Sequence, residues 1–197
     1  MREGPNEIIL ASASPRRAHL LESIGLSFQI DPSQIVEEPG ASESPTDYIM
    51  RVARAKTIDV ARRRASGLVV GADTEVIVDG AILGKPRNPD DAVRMLNLLS
   101  GRWHTVATGL VIHDASSGRE VSGSEETEVR FAELTKTEIT WYVASGEPFD
   151  KAGAYAIQGL ASLFVKEIRG TYHNVVGLPV ALLYRLLDQI GYPLIPD

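Results

Sequence analysis

Residues 10–17 read Leu-Ala-Ser-Ala-Ser-Pro-Arg-Arg, which puts a hydroxyl, a proline and two guanidinium groups at the start of a helix. Ser14 stands at the N-cap position, and Pro15 presets the first turn. The amides that follow lack intrahelical partners, and the helix dipole is positive there. Arg16 and Arg17 in that turn would each destabilise a bare exposed helix by about 0.3–1 kcal/mol. A bound phosphate reverses the sign, because amides, dipole and guanidinium all favour an anion. A capped helix with two solvated arginines accounts for the same residues, so this segment alone leaves both readings open.

Three further positions carry chemistry of the same kind. Lys56 falls on a helical stripe made by Ile49, Val52, Ala53 and Val60, where an apolar side chain is expected. Either its stem packs while the ammonium reaches water, or the ammonium points at an anionic ligand in a cleft. Asp73 follows the apolar run Val69–Ala72, at the edge where open α/β sheets place ligands. A carboxylate there can hold magnesium or activate water, and Thr74 adds a hydroxyl, although a turn aspartate would look the same. Lys85 lies between Gly84 and Pro86, a presentation that suits a phosphate or a plain surface turn. Residues 80–86 are not a P-loop, since Pro86 replaces the metal-binding hydroxyl and the glycine spacing is one short.

Other candidates are weaker. Glu37 and Glu38 lie in a Pro-, Gly- and Ser-rich stretch, residues 31–45, and by themselves are solvated loop acids. His19, His104, His113 and His173 show no metal-ligand spacing, which argues against zinc. His173 and Asn174 suit a loop or a ligand, and Trp103 and Trp141 suit packing better than base stacking.

The scaffold that must position these groups reads as mixed α/β with a central twisted sheet and flanking helices. Strands are expected at Glu7–Ala11, Leu68–Ala72, Glu75–Val78, Trp103–His113, Arg119–Phe131 and Ser162–Ile168. Helices are expected at Pro15–Ile24, Thr46–Arg64, from Asn88 to just before Gly101, Thr137–Ala144 and Pro179–Ile190. Asp79-Gly80 predicts a type I′ hairpin turn, and Asn88-Pro89-Asp90-Asp91 a capped helix start.

With 197 residues, 44% hydrophobic and 23% charged, the chain fits one globular domain and excludes wholesale disorder. Its net charge of −6 argues against coating nucleic acid polymers or anionic membrane, so a polyanion must meet a local basic cluster. The absence of cysteine excludes disulfides, thiol catalysis and iron–sulfur ligation. No apolar run reaches membrane-span length, and the first ten residues lack signal-peptide features, so a cytoplasmic location is expected.

Taken in order, LASASPRR, GADTEVIVDGAILGKP, LSGRWHTVATGL, DKAGAYAIQG and YHNVVGLP resemble the sequence blocks of the Maf family of nucleoside triphosphate pyrophosphatases. The likeness runs from about Ile8 to Leu187. It implies a single Maf-like domain over residues 1–197, elongated and two-lobed, related to inosine triphosphate pyrophosphatase, with a nucleotide in the central cleft. It also implies hydrolysis between the α and β phosphates, as housekeeping of the nucleotide pool. By the resemblance, Ser14 and Arg17 match a phosphate-binding S-x-x-R motif, and Lys56 and Lys85 match catalytic lysines. Asp73 matches the proton acceptor, and Glu38, with Glu37 one place away in register, matches the acid that joins Asp73 on the metal. Arg17, Thr74 and Gln158 match positions tied to substrate choice, with identities like the branch that prefers dTTP and UTP. Ala13 and Glu75 depart from the pattern, the latter placing a charge beside Asp73. The implied cofactor is a divalent metal, Mg²⁺ first, with Mn²⁺ or Co²⁺ as substitutes. A 7-methyl-GTP pyrophosphatase and a nucleotide sensor without turnover are the rival readings. The family's association with septum-formation arrest makes a cell-division protein a candidate partner, and a homodimer is left open.

Overall fold

The computed structural model describes residues 7–37 and 43–195. Strand β1 (Ile8–Leu10), helix α1 (Pro15–Ser23), strand β2 (Phe28–Ile30) and helix α2 (Pro45–Ala61) open the chain. Then come β3 (Leu68–Val78), β4 (Ala81–Leu83), α3 (Pro89–Leu99), β5 (Trp103–Asp114), β6 (Glu120–Phe131) and α4 (Lys136–Ala144). Two short 3₁₀ turns, Ala152–Ala154 and Leu160–Leu163, precede β7 (Val165–Arg169), α5 (Tyr172–Val176) and α6 (Val180–Ile190). The strands form one sheet in the order β2-β1-β3-β5-β6-β7, with β4 on β3. β1 runs parallel to both β2 and β3, while β4 and β7 are antiparallel to β3 and β6. β1 is buried along its length, as a parallel strand with neighbours on both sides requires. No helix among the described residues is long and apolar enough to cross a membrane.

The chain divides into two compact units. One comprises Met1–Asp73, Thr108–Glu125 and Gly177–Asp197; the other comprises Thr74–Ala107 and Glu126–Val176. In the first, α2 lies unusually close to the sheet, because two glycines face it. A Cβ on Gly71 of β3 would fall 2.1 Å from Thr57 Oγ1 and 2.9 Å from the Ala53 carbonyl oxygen. A Cβ on Gly109 of β5 would fall 2.9 Å from the Ile49 carbonyl oxygen. Thr57 is itself fixed by donating to the Ala53 carbonyl at 2.8 Å. The obstacle is therefore backbone as well as side chain, and α2 cannot yield cheaply. Gly71→Ala is expected to lower stability by about 1–3 kcal/mol, as overpacked cores do, and to move Lys56, which rides on α2. Denaturant unfolding checks it; a loss under about 0.5 kcal/mol would mean that α2 has room to retreat.

The second unit is built around aromatic rings. His104 meets Phe131 and Tyr155 edge-on with centroids 5.2 and 5.4 Å apart, and its Nε2 shares a 2.7 Å hydrogen bond with the Tyr155 hydroxyl. Burial pushes the His104 imidazole down to about 4. An unfolded chain takes up a proton at this histidine below about pH 6.5, whereas the folded chain resists until about pH 4. The unfolded state thus binds more protons across that window, and stability falls as pH falls. The expected loss approaches about 3 kcal/mol by pH 4. Comparing unfolding of wild type and His104→Phe between pH 7 and 4 checks it, with a flatter curve expected for the variant.

Several elements follow their sequence signals. Asp79 and Gly80 both take positive φ, 51° and 77°, as a type I′ turn between β3 and β4 demands. The Asn88 side chain accepts the Asp91 amide at the start of α3. Other expectations change. The two strands expected at Leu68–Ala72 and Glu75–Val78 are one continuous strand, so Asp73 lies within β3 and not at a strand end. Extended backbone continues through it because the buried carboxylate finds a counter-charge in Lys56. The strand expected from Ser162 begins only at Val165, after a 3₁₀ turn. Trp141 is 47% exposed on α4 and does not pack as expected, since α4 turns Ile139, Tyr142 and Val143 inward instead.

Candidate active site

In the first unit, β1 delivers the chain to α1, whose first turn carries Arg17. The arginine is not solvated. It is buried, with Nε donating to the Gly177 carbonyl at 2.8 Å and Nη1 to Ser12 Oγ at 3.1 Å. Those bonds fix the fork of the guanidinium before any ligand arrives, which lowers the entropy lost on binding an anion. Ser14 occupies the N-cap backbone position, but its hydroxyl makes no cap bond; its amide donates to Ser12 Oγ at 3.2 Å. The hydroxyl thus does not cap the helix, contrary to what an N-cap serine leads one to expect.

Lys56, Asp73 and Glu37 form a charged cluster. Lys56 Nζ lies 2.7 Å from Asp73 Oδ1 and 2.9 Å from Glu37 Oε1. The lysine side chain is 12% exposed and that of Asp73 only 4%. The lysine that interrupts an apolar stripe is therefore neither core nor surface: α2, held close by Gly71, sets its ammonium against a buried carboxylate. Asp73 Oδ2 is buried and has no hydrogen-bond partner among the described residues. A buried carboxylate oxygen left so costs about 1–3 kcal/mol or more.

Glu38 lies outside the described residues, while its neighbour Glu37 contacts Lys56. Thr74, half-buried, follows Asp73 along β3 but belongs to the second unit, as do exposed Lys85, just beyond β4, and exposed Gln158. Gly153 donates its amide to the Gly84 carbonyl at 3.1 Å, and a Cβ there would strike Val76 at 2.8 Å. The segment Ala152–Ala154 is thereby pressed onto β3 and β4, next to the residue that precedes Lys85. Glu75 is buried beside Asp73 and has interaction partners of its own.

Sequence reasoning missed some of this. Ser12, which carries no signal of its own in the sequence, anchors Arg17. Asn174, read as loop or ligand, is a buried tie: its Nδ2 donates to the Val106 carbonyl at 2.9 Å and to Thr127 Oγ1 at 3.0 Å. No cluster of three or more His, Asp or Glu that could hold a metal occurs among the described residues. Asp73 with its unpartnered oxygen, and Glu37, nonetheless offer the hard oxygen donors that a divalent cation of the magnesium type uses, one or two carboxylates being its usual protein share.

The sheet order and helix placement define a known class of α/β fold. The Staphylococcus aureus Ham1 protein superposes with a TM-score of 0.52 over 94% of this chain and 100% of its own, at 14% identity, a likeness of fold alone. Within that class the sequence is more particular. Residues 7–190 match the model of Maf-like proteins, and the chain belongs to the Maf family. It is 49% identical over 189 residues to a dTTP/UTP pyrophosphatase of Anaeromyxobacter dehalogenans, covering 95% of each chain. It is 51% identical over 183 residues to a dTTP/UTP pyrophosphatase of Bacillus cereus, covering 93% of this chain and 95% of the relative.

Proposed function

We propose that this chain hydrolyses nucleoside triphosphates, dTTP and UTP above others, to the nucleoside monophosphate and pyrophosphate. The names of its Maf relatives support the substrate class. The observation that carries the reading is the buried Asp73 carboxylate, with Lys56 on one oxygen and nothing among the described residues on the other.

Attack on a triphosphate is opposed by its own negative charge until that charge is neutralised. Arg17 and the positive N-terminal end of α1 would bind phosphate oxygens, with Ser14 donating its hydroxyl, which makes no cap bond. Lys56 would add a point charge to those phosphates, and Lys85 would take the phosphate-binding role of the lysine it matches in the family. Asp73 would orient a water through Oδ2 and take its proton as the oxygen bonds to the α-phosphorus. The bridge between the α-phosphorus and the bridging oxygen breaks, and pyrophosphate leaves with that oxygen. Thr74 and Gln158 would read the nucleoside. Asp73 with Glu37 or Glu38 would hold a divalent ion, Mg²⁺ in our reading, which when bound would withdraw charge from the phosphates.

Pyrophosphate release measured across canonical and modified triphosphates, with Mg²⁺, Mn²⁺ and Co²⁺ in turn, tests the reading. Release is expected with dTTP and UTP ahead of GTP and 7-methyl-GTP. Absence of release with every triphosphate and metal would leave a nucleotide sensor in its place.

A further inference from the structure

Glu147 follows α4 and Gly146, with no counter-charge within reach of its carboxylate among the described ion pairs. Its carboxylate instead gathers neutral donors. Oε1 accepts the Tyr142 hydroxyl at 2.9 Å and the Ala161 amide at 3.4 Å, and Oε2 accepts the Leu160 amide at 2.8 Å. These amides begin the 3₁₀ turn Leu160–Leu163, whose N-cap, Gly159, has no side chain to cap it. Glu147 therefore supplies from a distance of thirteen residues the cap that a serine or aspartate gives locally.

The turn so held is the one that carries Gln158. The Gly159 amide donates to the Ala156 carbonyl at 3.1 Å, closing residues 156–159, and the Ser162 amide donates to the Gly159 carbonyl at 3.0 Å. Gln158 projects from this turn exposed, while Tyr142, which donates to the clamp, is fully enclosed and stands edge-on to Phe164 at 5.5 Å. Gly159 is dictated by the clamp and not by its backbone angles, since φ is −109°. A Cβ there would fall 2.3–2.4 Å from the Glu147 carboxylate. Burial, with the Glu147 bond second, raises the Tyr142 hydroxyl far above its ordinary range, so it remains a donor at all physiological pH.

We infer that Glu147 is a positioning residue for substrate choice: by capping Leu160 and Ala161 it fixes the turn that presents the Gln158 amide to the base of the nucleoside triphosphate, and Gly159 is glycine so that the carboxylate can reach. The inference rests on the proposed reading of Gln158. An amide can donate and accept toward a pyrimidine edge only if its backbone is held, because loose placement forfeits the orientation that separates one base from another.

Gly159→Ala tests this most cleanly. It leaves Glu147 and Tyr142 in the chain and removes only the space the carboxylate occupies. Steady-state pyrophosphate release with UTP and GTP is measured for wild type, Gly159→Ala, Glu147→Ala, Glu147→Gln and Gln158→Ala, with thermal unfolding alongside. Dissociation constants for the α,β-imido analogues of UTP and GTP are measured by calorimetry. Gly159→Ala and Glu147→Ala are expected to raise KM for UTP about tenfold, leave kcat within about twofold, and shrink the UTP-over-GTP ratio of kcat/KM to that of Gln158→Ala. Glu147→Gln, which keeps one carbonyl acceptor, is expected to restore part of the ratio. Adding Gln158→Ala to Gly159→Ala is expected to cost nothing more, since both remove one interaction. Folded variants with an unchanged ratio in rates and in binding would overturn the inference, and Glu147→Gln and Gly159→Ala keep the test alive should Glu147→Ala not fold. A wild type that releases no pyrophosphate but whose analogue-binding ratio collapses in Gly159→Ala would sink the catalytic reading alone. A wild type that binds the two analogues equally would sink the positioning role.

Discussion

Asp73→Asn is expected to lower kcat by about 10³-fold, within the range of about 10²–10⁴ that a positioned base contributes, and to change KM little. The substitution keeps the volume and the carbonyl that accepts from Lys56, so α2 stays seated on β3. What it removes is the basic oxygen, Oδ2, replacing it with an amide that donates where a proton must be taken. An amide also cannot serve as an anionic metal ligand, so the two proposed duties of the residue fail together. Steady-state rates over a range of metal concentration separate them. A deficit that disappears at high metal would make Asp73 a ligand only, whereas one that persists at saturation assigns it the proton. Wild-type turnover in a correctly folded variant would remove the base from this position altogether.

Lys56→Met is the second large effect, and it reaches stability as well as rate. The ammonium lies between two carboxylates at 2.7 and 2.9 Å, one of them all but fully buried. Methionine fills the stem's space but leaves both acids facing each other without a counter-charge. Removing one member of a buried pair costs about 3–5 kcal/mol, and the partial exposure of Glu37, 37% by side chain, brings the expected loss to the lower end of that range. Turnover is expected to fall by at least about 10², since a point charge on the phosphates goes with it. Lys56→Arg is expected to restore the fold in part and the rate poorly, because a planar fork does not replace a compact ammonium at such short reach. Denaturant unfolding of Lys56→Met, Asp73→Asn and the double variant checks the coupling. The double is expected to be more stable than Lys56→Met alone, by about 1–3 kcal/mol. Simple additivity would mean that the pair is screened by water and holds nothing.

Two residues of the candidate site, Lys56 and Arg17, stood out in the sequence because they break local rules. A lysine on an apolar stripe and paired arginines at a helix start are each unfavourable unless something compensates, and Lys56 and Arg17 are compensated in the folded chain. The compensation itself was illegible. Arg17 is anchored by the Gly177 carbonyl, 160 residues away, and no local pattern encodes a backbone acceptor that distant. Asp73 was read at a strand end because an isolated aspartate normally breaks a strand; its counter-charge comes from α2, seventeen residues earlier. The turns fared better, since Asp79-Gly80 and Asn88 act through their own backbone angles and caps. β2 and α5 escaped notice because three and five residues are too few to show a period, and α5 is tied down by the buried Asn174. Glu147 escaped for another reason: a carboxylate that caps amides thirteen residues on has no sequence signature.

In the proposed reaction, water oriented by Asp73 attacks the α-phosphorus. Hydrolysis of UTP in oxygen-18 water, followed by mass analysis of both products, tests it directly. One heavy oxygen is expected in the UMP and none in the pyrophosphate. Label in the pyrophosphate would place the attack on the β-phosphorus and contradict the assignment.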